Sequence, residues 1–408
     1  MPSPHSHATP LLTGQAGFDR SPFLRLTELI AGIAPGQPVI NLSVGEPQHG
    51  VPDLIRDAIS GHMNEFGKYP PIKGIEPYRI AAARWMNQRF SLPRALDPES
   101  EILALNGSRE GLFLAAMAAR QHIGERDRPV ILMPNPFYPA YAAGALAAGC
   151  EAVHLPAVAA NGFLPDLDAI PADILARTVA FYIASPANPQ GSVASRDYYK
   201  RLHALALQYG FMIFGDECYS EIYTIEPPCS LLEISTPDFK NTVVFQSLSK
   251  RSNLPGLRTG FVAGNKNFLI RFLELRAVAG PQVPNPLQWA AAAAYGDETH
   301  VEQSRARYRI KFGIADRLLQ GRFNYRRPKG GFCLWLDVSA HGNDEIATQK
   351  LWREAGVRVI PGSYLATTQA DGSNPGRNYI RVALVQDEAT TEEALMRILA
   401  TLDQVQAA

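Results

Sequence analysis

Short apolar runs alternate with longer stretches of helical periodicity through the middle of the chain. Between residue 101 and about 265 the order is EILAL, a helix from Ser108, VILMP, a helix near 139–148, EAVHLP, TVAFYIA, a helix from Ser195, FMIFGD and NTVVFQS. Strand-length runs separated by helices predict an α/β sheet, mainly parallel, because parallel neighbours need a crossover long enough to hold a helix. Ahead of this region, SPFLRLTELIAGI carries Phe23, Leu26, Leu29, Ile30 and Ile33 at helical spacing, and PVINLSV at 38–44 reads as a strand running into the turn Gly45-Glu46-Pro47. Two more helices are expected, one with Val51, Leu54, Ile55, Ala58 and His62 on a face, the other with Ile80, Ala83, Met86 and Phe90. Between them KYPPIKG is a loop, since its paired prolines cannot sit inside a helix. Beyond residue 300 a long amphipathic helix, GGFCLWLDV, a helix near 344–355, VRVIPG and YIRVAL form a smaller α+β unit. With no repeat and no Gly/Ser-rich linker, the expected division is a leader over 1–18, a large domain over 51–295, and a small domain built from 19–50 and 296–408.

Composition narrows the function classes. The 39 Lys+Arg balance 39 Asp+Glu, and 46% of the 408 residues are hydrophobic, which suits a buried core and no dedicated nucleic-acid surface or polybasic membrane anchor. Cys150, Cys218, Cys229 and Cys333 are scattered without metal-ligand spacing, so no metal is expected and a reduced compartment is. The opening MPSPHSHATPLLTGQ lacks a secretory pattern, and no apolar run approaches the ~20 residues of a membrane span. A cytoplasmic protein is the expectation, with His5 and His7 in a mobile tail rather than a metal site.

In open α/β sheets ligands bind outside the carboxyl ends of the strands, so the residues just after the apolar runs are the first candidates. They are Asn106-Gly107-Ser108-Arg109, Asn135-Pro136-Phe137-Tyr138, Ser185-Pro186-Ala187-Asn188, Asp216-Glu217-Cys218-Tyr219 and Ser247-Leu248-Ser249-Lys250. A lysine at such an end can form an imine with an aldehyde cofactor, and Ser247 and Arg258 beside it offer a hydroxyl and a guanidinium to a phosphate. Gly107 and Ser108 open a helix, whose free amides and dipole also suit a phosphate, or simply a capped helix end. Asp216 at a strand end needs a cation or donors if buried, and a protonated pyridine nitrogen is one such partner. Tyr219 and Asn188 can bond a ring oxygen, Tyr138 can stack on a flat cofactor, and Arg381, alternating with Ile380 and Val382, calls for an anion.

The succession NGSREG, NPFYPAY, SPANPQG, DECYSEIY, SLSKRSNLPGLRTG and RVAL, in that order across nearly the whole chain, resembles the class I/II aminotransferases of the aspartate aminotransferase fold, which use pyridoxal phosphate. The wording KRSNLPGLRTGFVAG, with NGSRE, NPFYPAY, DECYSEIY and IPGSYL, resembles the bacterial N-succinyldiaminopimelate aminotransferases of lysine synthesis. The resemblance implies a type I fold with Lys250 as Schiff-base lysine and proton shuttle, Asp216 as partner of the pyridinium, and Asn188 and Tyr219 on the ring oxygen. It implies Tyr138 stacking, and Gly107, Ser108, Arg109, Ser247 and Arg258 around the phosphate. Tyr69 would reach the phosphate of a neighbouring subunit in a homodimer with shared sites. Arg381 would clamp the substrate α-carboxylate, with Gly45 closing over the substrate and Asn188 beside it. The substrates implied are an amino acid and a 2-oxo acid, with glutamate and 2-oxoglutarate as one pair.

Two departures stand out. Arg109 replaces the usual small polar residue after the phosphate serine, and AVAGPQVPNPLQ offers no match for the arginine with which aspartate aminotransferases bind a second carboxylate. Distal carboxylates are therefore expected to meet Lys73, Arg109 or Arg251. Other donors of the same family (aspartate, N-acetylornithine, aromatic amino acids) and a carbon–sulfur β-lyase remain open, because these residues fix the cofactor better than the fate of its carbanion. A regulatory protein with an aminotransferase-like sensor domain is disfavoured by the short stretch before the first helix.

Overall fold

A computed structural model describes residues 20–403; the leader expected over 1–18, with His5 and His7, lies outside the described residues. The chain runs through α1 (Pro22–Leu29), β1 (Ile40–Asn41), α2 (Asp53–Gly61) and α3 (Glu76–Arg89). It continues with β2 (Ile102–Leu105), α4 (Ser108–Ile123), β3 (Val130–Asn135), α5 (Pro139–Ala147), β4 (Glu151–Pro156), α6 (Ala172–Arg177) and β5 (Thr178–Ala184). Then come α7 (Arg196–Tyr209), β6 (Met212–Asp216), β7 (Thr242–Ser247), α8 (Leu248–Arg251), β8 (Gly260–Gly264), α9 (Lys266–Ala279) and α10 (Asn285–Tyr295). The last elements are α11 (Thr299–Leu319), β9 (Cys333–Asp337), α12 (Asp344–Ala355), β10 (Val357–Arg358), β11 (Ile360–Pro361), β12 (Tyr379–Ala383) and α13 (Glu388–Leu402).

Seven strands form one sheet in the order β2-β8-β7-β6-β5-β3-β4, and β4 through β7 pair in parallel, as the alternation predicts. β8 is the exception: it pairs antiparallel with both β7 and β2. The short α8 and the turn after it bring the chain straight back beside β7, so Ser247 faces Gly260, and no crossover helix is needed. Apart from the half-exposed edge strand β4, the strands are buried on both faces, which is why they read as continuous apolar runs. Val130 and Leu132 of β3 enter one core with α2, α3, α7 and α10, while Ile131 and Met133 enter another with α4, α5 and α9.

A separate core lies outside the large sheet. Ile40 and Leu42 pack with Tyr308 and Phe312 of α11, the apolar faces of β9 and β12, and α12 and α13. β1 pairs in parallel with β10, and β11-β12-β9 makes a small antiparallel sheet. Leu26 and Ile30 pack on Ile360 and Tyr364, seating α1 against this smaller sheet.

Several local expectations shift. The strand expected over 38–44 pairs only at Ile40–Asn41, where β10 offers it two residues. Ile80 is 39% exposed, because α3 is rotated so that Tyr78, Arg79, Ala82, Trp85 and Met86 face inward, Arg79 being anchored by Glu99. Val51 is likewise exposed, whereas His62 stacks on Trp289 with ring centroids 4.2 Å apart. Among the described residues no helix is long and apolar enough to cross a membrane.

Candidate active site

The carboxyl ends of β3, β5, β6 and β7 open onto a cavity of about 2120 Å³ whose wall is completed by α1, the segment around Gly45 and the loops of the smaller sheet. Lys250 sits in α8, one turn beyond the end of β7. It is largely enclosed, its Nζ donates to the Gly45 carbonyl, and it lies 5.2 Å from the Phe332 ring centroid. Burial disfavours the ammonium and lowers its pKa from 10.5 to about 8. An amine held there is partly neutral near physiological pH, which a nucleophile and proton shuttle requires.

Asp216 ends β6 with its carboxyl enclosed. Tyr141 donates to Oδ2 at 2.6 Å and the Cys218 amide to Oδ1 at 3.3 Å. Burial raises the Asp216 pKa while these donors, Tyr141 above all, pull it down. No cation pairs with this carboxyl among the described residues, so its charge is held by neutral donors alone. Tyr219 stands edge-on to Phe332, and Asn188 Nδ2 reaches its hydroxyl at 3.5 Å. Glu217, between Asp216 and Cys218, turns away into a buried network and accepts from Ser230 Oγ, the Leu231 amide and Gln246 Nε2 at 2.7–3.0 Å.

At the β2–α4 junction Gly107 has φ +76°, and a Cβ there would collide with the Arg258 guanidinium. Only glycine lets that guanidinium lie against the first turn of α4, whose 16 residues give its open N-terminus a positive dipole end. Ser247 caps α8: its Oγ accepts from the Ser249 amide at 3.2 Å and bonds Ser249 Oγ at 3.0 Å. Arg258 itself has φ +54°, a left-handed conformation held by the turn between α8 and β8. Arg109 Nε donates to the Tyr138 hydroxyl at 2.6 Å.

Arg381 is 5% exposed and, as its alternation with Ile380 and Val382 predicts, faces the cavity while those neighbours are core. Its Nη2 donates to Ser43 O at 2.5 Å and Nη1 to Asn188 Oδ1 at 3.4 Å, and its buried Nε has no partner. No internal carboxylate neutralises it among the described residues, so an anion from outside meets a preformed fork. Gly45, Ser108, Arg109, Tyr138, Asn188, Asp216, Tyr219, Ser247, Lys250, Arg258 and Arg381 all line the one cavity, with Gly107 directly behind Arg258. Tyr69 does not: it is 98% exposed on the surface of its own chain.

Two of the three cations expected to meet distal carboxylates are elsewhere. Lys73 is paired with Glu99. Arg251 is buried against Trp85 and Tyr295, bonded to Ala294 O at 2.7 Å and paired with Glu298. Arg109 alone of the three lines the cavity. The sequence reading also passed over Tyr141. Its signal was present, since it falls three residues after Tyr138, the residue that precedes α5, and the two rings meet edge to face with centroids 5.7 Å apart.

Residues 37–398 match the family model described as aminotransferase class I and II. The chain belongs to the class I and II aminotransferases. An LL-diaminopimelate aminotransferase of Syntrophobacter fumaroxidans is 34% identical over 373 residues, covering 90% of this chain and 92% of its own. Among solved structures, an aminotransferase from Neisseria meningitidis superposes with a TM-score of 0.89 at 38% identity, over 94% of this chain and 98% of its own. A probable N-succinyldiaminopimelate aminotransferase from Thermus thermophilus gives 0.80 at 26% identity, over 94% and 100%. Members of the family use pyridoxal phosphate, and the residues present fit it. The enclosed Asp216 lacks a cation that a protonated ring nitrogen supplies, and the Gly107–Arg258 approach at a helix N-terminus is shaped for a phosphate.

Proposed function

We propose that this aminotransferase moves the amino group between N-succinyl-LL-2,6-diaminopimelate and 2-oxoglutarate in lysine biosynthesis. Bound pyridoxal phosphate supplies the aldehyde that exchanges amines and the protonated ring that accepts electron density. The chain's own residues have these roles. Arg258, Ser247, Ser108, the Gly107 backbone and Arg109 hold the phosphate; Tyr138 stacks on the ring; Asp216 keeps the ring nitrogen protonated; Asn188 and Tyr219 bond the ring oxygen. Arg381 fixes the α-carboxylate, and the α-C–H is thereby presented to Lys250. Lys250, neutral through burial, would take the α-proton and hold it for return, while Gly45 would cover the substrate. Tyr69, fully exposed on its own chain, reaches the phosphate of a second subunit in a homodimer. Residues 51–295 act as the large domain, and 19–50 with 296–408 as the small one.

The choice of donor rests on charge. Arg25, Arg109 and Arg377 line the cavity without a carboxylate partner among the described residues, whereas of its acids Glu345 bonds the Tyr364 hydroxyl, Asp344 accepts the Ser363 amide at 2.8 Å, and the exposed Glu46 stands on the side of Lys250. A donor whose distal end carries only anions suits that lining. Free LL-diaminopimelate, whose distal end adds an ammonium, is the second reading, favoured by the name of the Syntrophobacter relative. Initial rates of glutamate formation from 2-oxoglutarate decide between them. The succinylated donor is expected to give the highest kcat/KM among itself, LL-diaminopimelate, aspartate, N-acetylornithine and aromatic amino acids. A higher value for free LL-diaminopimelate replaces the donor, and pyruvate release from cystathionine replaces the reaction.

A further inference from the structure

The cations of the cavity differ in what occupies them. Arg381 is anchored on Ser43 and Asn188, Arg258 lies against Gly107, Arg109 is bonded to Tyr138, and Arg20 is paired with Glu28. Arg25 and Arg377 have neither an ion pair nor a side-chain hydrogen bond among the described residues. Arg25 is nevertheless placed. Its guanidinium carbon lies 3.7 Å from the centroid of the Tyr364 ring, and the next residue, Leu26, is buried with Ile30, Ile360 and Tyr364 in the contact that seats α1. A guanidinium seated over an aromatic ring with none of its N–H groups hydrogen-bonded is already placed, and loses little further entropy when those groups meet a carboxylate. Arg377 enters the same cavity from the loop leading into β12, four residues before Arg381.

We propose that Arg25, held on Tyr364, and Arg377 form the subsite for the distal carboxylate of the donor, so that a dicarboxylate is gripped at one end by Arg381 and at the other by this pair. Arg109 remains with the cofactor phosphate. The inference rests on the reading that the donor carries a second carboxylate. The half-buried Arg25 contributes more than the exposed Arg377, since an exposed ion pair is screened by water and salt. An arginine on the short α1 thus takes the task that the stretch AVAGPQVPNPLQ leaves unfilled.

The test uses the cofactor-loaded enzyme and unreactive acids. Calorimetry compares hexanoate with the dicarboxylates from succinate to suberate on wild type, Arg25→Gln, Arg25→Lys, Arg377→Gln and the double Gln variant. In wild type, one chain length of dicarboxylate binds about 10-fold or more tighter than hexanoate, the gain of one charge-assisted contact. Arg25→Gln removes most of that advantage, Arg25→Lys keeps part of it, and Arg377→Gln reduces it about 2–3-fold. In turnover, kcat/KM for the succinylated donor falls at least about 10-fold further than kcat/KM for alanine in Arg25→Gln. An undiminished dicarboxylate advantage in the double variant overturns the proposal, and so does an equal loss for hexanoate and dicarboxylates. A length-dependent advantage that needs Arg25, in an enzyme that ignores the succinylated donor, upholds the subsite and removes the proposed donor. Good turnover of that donor with an unchanged KM in Arg25→Gln does the reverse.

Discussion

The floor of the cavity and its rim are built on different plans. On the floor the polar groups are held by the protein itself: Asp216 by Tyr141 and Cys218, Lys250 by Gly45, Ser247 by Ser249, and Arg381 by Ser43 and Asn188, only its Nε being left without a partner among the described residues. Those contacts fix rotamers before a ligand arrives, which is how a constellation keeps a productive geometry. At the rim Arg25 and Arg377 lack ionic partners among the described residues, and one of them is held only by a ring face. The contrast separates two tasks. On the proposed assignment, a rigid floor serves chemistry common to every donor, while loosely bonded cations from distant segments serve the part of the donor that varies.

The largest effect expected is on the floor. Lys250→Ala should lower steady-state turnover by at least about 10³-fold, since general-base transfer and amine exchange are lost together; near-normal rates would remove the assignment. Arg381→Gln should cost every donor about 10²-fold in kcat/KM, because a buried charge-assisted fork is lost, and alanine should suffer as much as the succinylated donor. A loss confined to dicarboxylic donors would blur the line between floor and rim. Arg251 gives the control outside the cavity. Arg251→Gln should lower stability by about 1–3 kcal/mol, read as a fall in Tm, because the buried Ala294 carbonyl loses its donor and the guanidinium leaves Trp85 and Tyr295, with little change in dicarboxylate KM.

Two smaller effects sharpen the account of the floor. Tyr141→Phe removes the main donor to Asp216, so only Cys218 is left to oppose burial and the carboxyl pKa rises further. Cofactor affinity should fall about 10-fold, and its loss on acidification should begin at a higher pH than in wild type. The pH dependence of cofactor loading should show Lys250 directly. Burial lowers its pKa, so the neutral amine is populated above about 8 instead of above 10.5, and the loading rate should rise through about pH 8. A midpoint near 10.5 would mean that the amine is solvated.

The floor was legible in the sequence because strand-end residues sit next to the apolar runs that announce the strands. The order of motifs from NGSREG to RVAL then fixed the family, which the match over 37–398 shows. What escaped was whatever depends on a distant partner. Arg251 and Lys73 read as available cations, but Glu298 and Glu99, 47 and 26 residues away, pair with them. Nothing in the sequence singles out Arg25, since the apolar spacing of SPFLRLTELIAGI says nothing of its partner, and only the packing of Leu26 and Ile30 on Ile360 and Tyr364 brings it to the cavity. The antiparallel β8 escaped because GFVAG follows no crossover helix, and Ile80 was misplaced because Arg79 turns inward to Glu99.

The central claim is tested most directly by mixing the cofactor-loaded protein with one donor and no acceptor, and following the cofactor's absorption. The account predicts complete conversion of the bound cofactor to its amine form by N-succinyl-LL-2,6-diaminopimelate and by glutamate, with release of one equivalent of 2-oxo acid. Conversion by neither compound, or release of pyruvate and ammonia from cystathionine with the cofactor unchanged, would contradict it.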